Sequence, residues 1–450
     1  MMLDKQLAVA LTDALASADM ERVATLTADV NIPDLADFIA EIVLPGEEVD
    51  VLLTQTIERR AEVFGYLPLS LQEAIAPMMT AGQLSELVTH MPSDERADLF
   101  NVLDEVRKQQ LFQRLAWEER EDIRRLASYE DGSAGAIMSS DYVWANVGMT
   151  VGEALDVIRR TAPDKETIYQ VYVLDHTHQL MGVVSLRELI VAAGNVLVDD
   201  LMTTDIVSAF VNEEQREVAR LISRYDLLAL PIVDAAGKLV GIVTYDDAMD
   251  VQEAETTDDI HRGANISKLE VNFSDAKPLD LYRSRVHWLV ILVFANIFTG
   301  AGIAYFEETI AAHIALLFFM PLLVASAGNA GSQSATLMVR GMATGDVTAR
   351  DWGKLISKEI FVATALGLTM ALAVMAVGYF RAGPDIALVV SLTMIIVVMV
   401  GSLIGMGLPL LLNKLNFDPA TASTPLITTI ADVSGVLIYF GIATVMLGLG

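Results

Sequence analysis

The chain has 450 residues, 53% hydrophobic and 20% charged, with a formal net charge of −29 and no cysteine. The missing cysteines exclude disulfides and thiolate metal sites, and so large an acidic excess argues against nucleic acid as a partner. The six histidines form no helical metal pair, and no nucleophile–His–acid set or phosphate loop is visible, so an enzyme is not expected. High hydrophobicity and high charge are segregated along the chain. Residues 276–450 hold nine acidic and nine basic side chains, while residues 1–275 hold 50 acidic and 21 basic ones. The whole net charge therefore lies in the first 275 residues. Such an excess attracts cations, although it also serves solubility.

Met1–Gln6 leads into a polar, helix-like stretch without signal-peptide character, so the N-terminal half is expected in the cytoplasm. Residues 1–130 contain a repeat of short helices. The segments beginning at Ala61, Ser85 and Gln109 align at a 24-residue period punctuated by Pro45, Pro68 and Pro92, which predicts a superhelical, all-α N-domain.

A second repeat follows. Tyr172–Asp175 with Leu180–Leu189 matches Ile232–Asp234 with Leu239–Ala248, with Gly182 and Gly241 at equivalent places 59 residues apart. Each unit reads as strand, tight turn, strand, then a helix opened by Ser185 or Thr244 with an acid three residues on. Met138-Ser139-Ser140-Asp141 and Met202-Thr203-Thr204-Asp205 precede them. The two units resemble a tandem pair of cystathionine-β-synthase (CBS) modules, α/β in class, over 137–200 and 201–255. The resemblance implies sensing of adenine nucleotides or metals, with Arg187 and Glu188 beside the nucleotide groove.

Residues 246–275 form an acidic connecting helix. Tyr245–Asp259 carries seven acids and no base. Asp247, Asp250 and Glu253 share one helix face, and like charges on one face destabilise a helix unless cations neutralise them. Mg²⁺ prefers oxygen ligands and bridges such carboxylates directly or through water; a solvated acidic helix is the simpler reading of the same residues.

Five long apolar runs then fill 280–450, near 286–306, 312–339, 360–380, 386–412 and 424–449, each long enough to cross a bilayer. Arg283, Arg285, Arg340, Arg350, Lys354, Lys358 and Lys414 flank one side and Arg381 alone the other, which places the N-terminus inside and the C-terminus outside. Asp432 lies within the fifth run. A carboxylate there faces a bundle interior or a wet cavity, or makes a structural hydrogen bond. Ser326–Ser334 in the second run is rich in small and polar residues. It fits close helix packing, and equally a broken helix whose carbonyls, with Asn329 and Gln333, line a wet path.

The order of superhelical repeat, CBS pair, acidic helix and five spans resembles the MgtE family of Mg²⁺ channels. The motifs that carry it are Pro321…Gly328-Asn329-Ala330-Gly331-Ser332-Gln333-Ser334-Ala335-Thr336, Asp418-Pro419-Ala420, and Thr424-Pro425-Leu426 leading to Asp432. The resemblance implies a homodimer in the plasma (inner) membrane, with Mg²⁺ passing Asp432 and with Gly328, Asn329, Gly331, Ser332, Gln333 and Thr428 lining the path. It also implies that the connecting helix is a plug, closed by Mg²⁺ at Glu62, Asp94, Asp98, Glu214, Asp247, Asp250, Glu255 and Asp259. Arg216 stands where an acid is expected at one ion site, and Ser332 where an amide is expected in the pore motif. ATP or another adenine nucleotide is a further expected ligand. Two other readings are a broader pathway for Co²⁺, Ni²⁺ or Mn²⁺, and a membrane-anchored nucleotide sensor that transports nothing.

Overall fold

The computed structural model describes residues 5–267, 276–347, 351–415 and 417–448. The connecting helix expected over 246–275 ends at Gly263, and 268–275, Arg350 and Leu449 lie outside the described residues. The chain divides into two units, Met1–Ala254 and Glu255–Gly450.

In the first unit the 24-residue period resolves into a pair of helices. Ile57–Gly65, Ala81–Thr89 and Glu105–Phe112 start 24 residues apart, as do Leu69–Ile75, Ser93–Val102 and Trp117–Leu126. Helices of the first set stack on one another, and so do those of the second, so each repeat buries its apolar face only against its neighbours. Phe38, Phe64, Leu84, Leu87 and Leu111 fill the seam. Pro68 and Pro92 sit at helix N-caps, where a missing N–H leaves nothing unpaired.

Six strands build the two CBS modules: β1 (Tyr142–Asn146), β2 (Thr167–Leu174), β3 (Leu180–Ser185), β4 (Ala209–Phe210), β5 (Ala229–Val233) and β6 (Leu239–Thr244). Each sheet runs in chain order, with the first strand parallel and the third antiparallel to the second. Val173 pairs with Gly182 and Ile232 with Gly241, and the register shifts immediately after both.

The lead-in segments cross over. Ser139 bridges Ile242 of the second module, and Thr203 bridges Val183 of the first. A Cβ on Gly241 would lie 2.7 Å from the Met138 sulfur, and one on Gly182 would lie 2.3 Å from the Met202 sulfur. The repeated Met and Gly thus form two reciprocal contacts that knit the modules into one body.

The N-domain is fastened to this body by apolar and polar contacts. Ala97 and Leu126 join a cluster with Val218, Ile222, Leu230 and Val243. Ser93 Oγ lies 3.0 Å from Ser139 Oγ and accepts from Ser140 N at 2.7 Å. Arg96 pairs with Asp141 at 2.9 Å, and Lys165 holds its other oxygen at 3.3 Å.

In the second unit, five helices are long and apolar enough to cross a membrane: Pro278–Tyr305, Ile314–Ala343 (whose first turn is a 3-10 helix), Trp352–Ala382, Pro384–Lys414 and Thr424–Met446. The fourth is the most enclosed and the first the least. Ser326–Ser334 lies inside one unbroken helix, Met320–Ala343, so the broken-helix reading is corrected. Its small residues allow the second and fourth spans to touch backbone to backbone. A Cβ on Gly405 would lie 1.9 Å from the Gly331 carbonyl oxygen, and one on Gly401 would lie 2.3 Å from that of Ala327. Small side chains at a membrane crossing make this closeness possible.

Candidate functional site: an acidic pocket and a membrane carboxylate

The first candidate lies within the first unit. Helix Ser93–Val102 begins with Asp94 and Glu95 in its first turn. The first two turns of the connecting helix, Tyr245–Gly263, supply Asp246, Asp247 and Asp250, the residue just before β2 is Glu166, and helix Ile57–Gly65 supplies Glu62.

These carboxyls sense one another. Burial, then Asp247, Glu166 and Glu95, raise Asp94 well above the usual carboxylate range. Burial, then Glu166, Asp247, Asp98 and Glu62, push Glu95 up to about 8. Burial and Asp247 push Glu166 up to about 7, against a hydrogen bond from Ser139 that pulls it down. Asp98, at the rim, is pushed up to about 6 by partial burial, Asp131 and Asp247. Asp247 and Asp250 are raised too, burial coming first in each. Crowded like charges away from water favour the protonated form, or a cation.

Asp247 has a second task. Its Oδ2 accepts from Thr244 N at 3.3 Å and from Thr244 Oγ1, which caps the connecting helix. Asp94 Oδ1 and Glu95 Oε2 are buried with no hydrogen-bond partner. Glu95 Oε2 lies 2.1 Å from where a Cβ on Gly65 would stand, so the glycine makes room for the carboxylate. Arg96, next in the chain, directs Nη2 to Asp141. Among the described residues no three acidic or histidine side chains form a ready-made metal cage. Orphaned hard oxygens around uncompensated negative charge fit a dication that keeps part of its water shell, as Mg²⁺ does.

The expected sensor residues are thus only partly gathered. Glu62, Asp94, Asp98, Asp247 and Asp250 act on this group. Glu214 instead starts helix Gln215–Tyr225, beside the bridge to Ser133. Glu255 and Asp259 lie farther along the connecting helix, in the second unit. Glu95, Glu166 and Asp246 were not expected. The adjacent Asp94-Glu95 pair at a helix start is a signal for the first of these, whereas Glu166 meets Asp94 only through tertiary folding. Arg187 and Glu188 are exposed at the head of helix Leu186–Val191, where Glu188 Oε2 accepts from Ser185 N at 2.8 Å.

The second candidate is Asp432. Ser423 caps the fifth span and Pro425 lies in its first turn. Thr428 and Asp432 follow at four-residue steps from Thr424, on one face. The second and fifth spans run antiparallel: a Cβ on Gly331 would meet Ile427, one on Gly328 Thr428, and one on Gly435 Val324. Asp432 therefore lies level with residues 324–328, about 12 Å along its helix at 1.5 Å per residue. Its Oδ1 is buried without a hydrogen-bond partner, which removes the reading of a structural hydrogen bond for that oxygen within the described chain. Gly328 and Gly331 are buried between spans, whereas Asn329, Gln333 and Thr336 are exposed. These three form a polar stripe at i, i+4 and i+7; Thr336 Oγ1 donates to Ser332 O at 2.9 Å, while the Asn329 and Gln333 amides are costly to leave against lipid.

Comparison with known proteins agrees with this architecture. Residues 320–442 match the family model of MgtE, a divalent cation transporter. Residues 30–132 match the MgtE intracellular N domain, and 134–195 and 198–254 match the CBS domain. The chain is 38% identical to the magnesium transporter MgtE of Thermus thermophilus over 99% of both chains. It is 34% identical to that of Bacillus subtilis over 86% of both. Among solved structures it resembles the cytosolic domain of the Mg²⁺ channel MgtE in complex with ATP (36% identity, TM-score 0.52, 54% of this chain and 99% of that one). It also resembles the soluble part of a magnesium transporter (30% identity, TM-score 0.51, 56% and 98%). The chain belongs to the MgtE family.

Proposed function

We propose that this protein carries Mg²⁺ across the membrane along a path that passes Asp432, and that cytosolic Mg²⁺ closes the path by binding among acids of the N-domain, the CBS pair and the connecting helix. The carrying observation is the set of buried, unpartnered carboxylate oxygens on Asp94, Glu95 and Asp432 in a chain of this family. Mg²⁺ sheds water reluctantly, so a carboxylate that accepts hydrogen bonds from the ion's water shell selects it without full dehydration.

Where Mg²⁺ is high it neutralises the pocket and binds the closed arrangement preferentially, which shifts the population toward closure; where it is low, carboxylate repulsion reopens it. The exposed stripe of Asn329, Gln333 and Thr336 supports a homodimer in which a second copy covers these polar groups. Glu214, Glu255 and Asp259 extend the sensor toward the second CBS module and the far end of the connecting helix. The flanking charges Arg283, Arg285, Arg340, Lys354, Lys358 and Lys414 support a cytoplasmic N-terminus. Adenine nucleotide on the CBS pair, near Arg187 and Glu188, belongs to the same reading, supported by the ATP complex of the similar cytosolic domain. Family membership favours transport over a membrane-anchored sensor.

The test is Mg²⁺ flux into proteoliposomes. Asp432→Ala is expected to lower flux at least tenfold at unchanged reconstitution, and equal flux would overturn the assignment.

A further inference from the structure

Arg262 stands apart on the connecting helix. Between Tyr245 and Gly263 the chain has seven acids, one histidine and this single arginine, with no lysine. The guanidinium joins two carboxylates that are distant in sequence. Nη2 lies 2.7 Å from Asp258 Oδ2, one turn back on its own helix, and Nη1 donates to Asp418 Oδ2 in the loop before the fifth span. Asp418 Oδ1 is already engaged, accepting from Ala420 N at 2.8 Å at the head of the 3-10 turn Pro419–Thr421. That turn runs into Ser423, which caps the fifth span.

The connecting helix also ends at this point. Asn265 takes a left-handed conformation at φ 59°, and Ile266 N donates to His261 O at 2.9 Å. Ser267 N then donates to Ser284 O of the first span at 3.0 Å. The helix end is therefore tied both to the loop that enters the helix of Asp432 and to the first span.

We propose that Arg262 is the positioning residue of the gate: a built-in counterion that seats the end of the connecting helix against the Asp418 loop without a metal ion. The proposal rests on the gating reading above and adds to it a division of labour along one helix. At its start, Asp246, Asp247 and Asp250 face other carboxylates and depend on a soluble cation. At its end, the cation is part of the chain. The fork geometry of arginine suits two carboxylates at once, which a lysine ammonium serves less well. Without Arg262, Asp258 and Asp418 face each other uncompensated, and the seated position is disfavoured while the conducting path keeps all its groups.

The experiment measures Mg²⁺ flux of the full chain in proteoliposomes against Mg²⁺ on the side of the N-terminal half. Arg262→Met is expected to raise the Mg²⁺ concentration for half-closure about three- to fivefold, the range for a partly exposed ion pair, with flux at low Mg²⁺ unchanged. Arg262→Lys is expected to restore part of the shift, and Arg262→Met with Asp418→Asn to restore most of it, because the repulsion is gone. A purely structural role would lower maximal flux or folded yield in all three variants without ordering their midpoints. A native chain that closes with Mg²⁺ while Arg262→Met keeps the native midpoint would overturn the seat alone. A native chain that Mg²⁺ does not close would remove the gating reading, and this proposal with it.

Discussion

Replacing Glu95 by Gln keeps the shape that fits against Gly65 and removes one titrating carboxyl from the acidic pocket. The folded-state carboxyl is held up to about 8, against an ordinary value of 4.5. The fold therefore binds this proton more tightly than the unfolded chain does. Its stabilising share is complete below the unfolded value and is lost as pH rises through the interval up to about 8. A shift of this size corresponds to a ceiling of about 5 kcal/mol. Hydration of the rim and rotation of neighbouring carboxylates lower it, and about 2 kcal/mol is expected between pH 5 and pH 8. Thermal unfolding of the detergent-solubilised chain in chelator should show the native protein losing roughly 4–8 °C more over this range than Glu95→Gln, in which Glu166 and Asp98 still titrate. At pH 8, Mg²⁺ should raise the native midpoint, because it binds the folded pocket and not the unfolded chain, and should raise that of Glu95→Gln less. Parallel pH profiles for the two proteins would mean that Glu95 carries none of this pH dependence.

Two further substitutions test the packing inside each unit. Gly405→Ala puts a methyl 1.9 Å from the Gly331 carbonyl oxygen, whereas a Cβ on Gly407 meets nothing within 4 Å. The first variant should lose about 2 kcal/mol or more and run as a broadened peak in size exclusion, while Gly407→Ala should match the native chain. Arg96→Ala leaves the largely buried Asp141 with Lys165 alone, at 3.3 Å. It should lower the thermal midpoint of the N-terminal half by an amount equivalent to about 2 kcal/mol, and Arg96→Lys by less.

Periodicity made most of the architecture legible. The 24-residue spacing marks helix pairs, the 59-residue spacing of Gly182 and Gly241 marks two equivalent strand pairs, and apolar length marks the five membrane helices. Ser185 and Thr244, each with an acid three residues later, announced the capping contacts that the structure shows at Glu188 and Asp247. Period alone could not say what the repeated glycines are for. Met138 crosses to Gly241 and Met202 to Gly182, an exchange between modules that no local pattern encodes.

The same limit applies to the pocket. Glu95, Glu166 and Asp246 are ordinary surface acids in sequence and become neighbours only when β2, the N-domain and the connecting helix meet. In the second span, composition left close packing and a broken helix equally open. Backbone contact between Gly331 and Gly405 is made by an intact helix, in which small residues supply the approach. Arg262 and Asp418 are 156 residues apart, and their pairing has no sequence signal beyond the arginine's isolation among acids.

The most direct test of the account is Mg²⁺ flux through the reconstituted full chain, measured as Mg²⁺ is raised on the side of the N-terminal half, for the native protein and for Asp94→Asn with Asp247→Asn. Closure of the native chain, together with sustained flux in the double variant at the same Mg²⁺, is the predicted result. Equal closure in both would contradict the claim that these buried carboxylates count the ion the membrane helices carry.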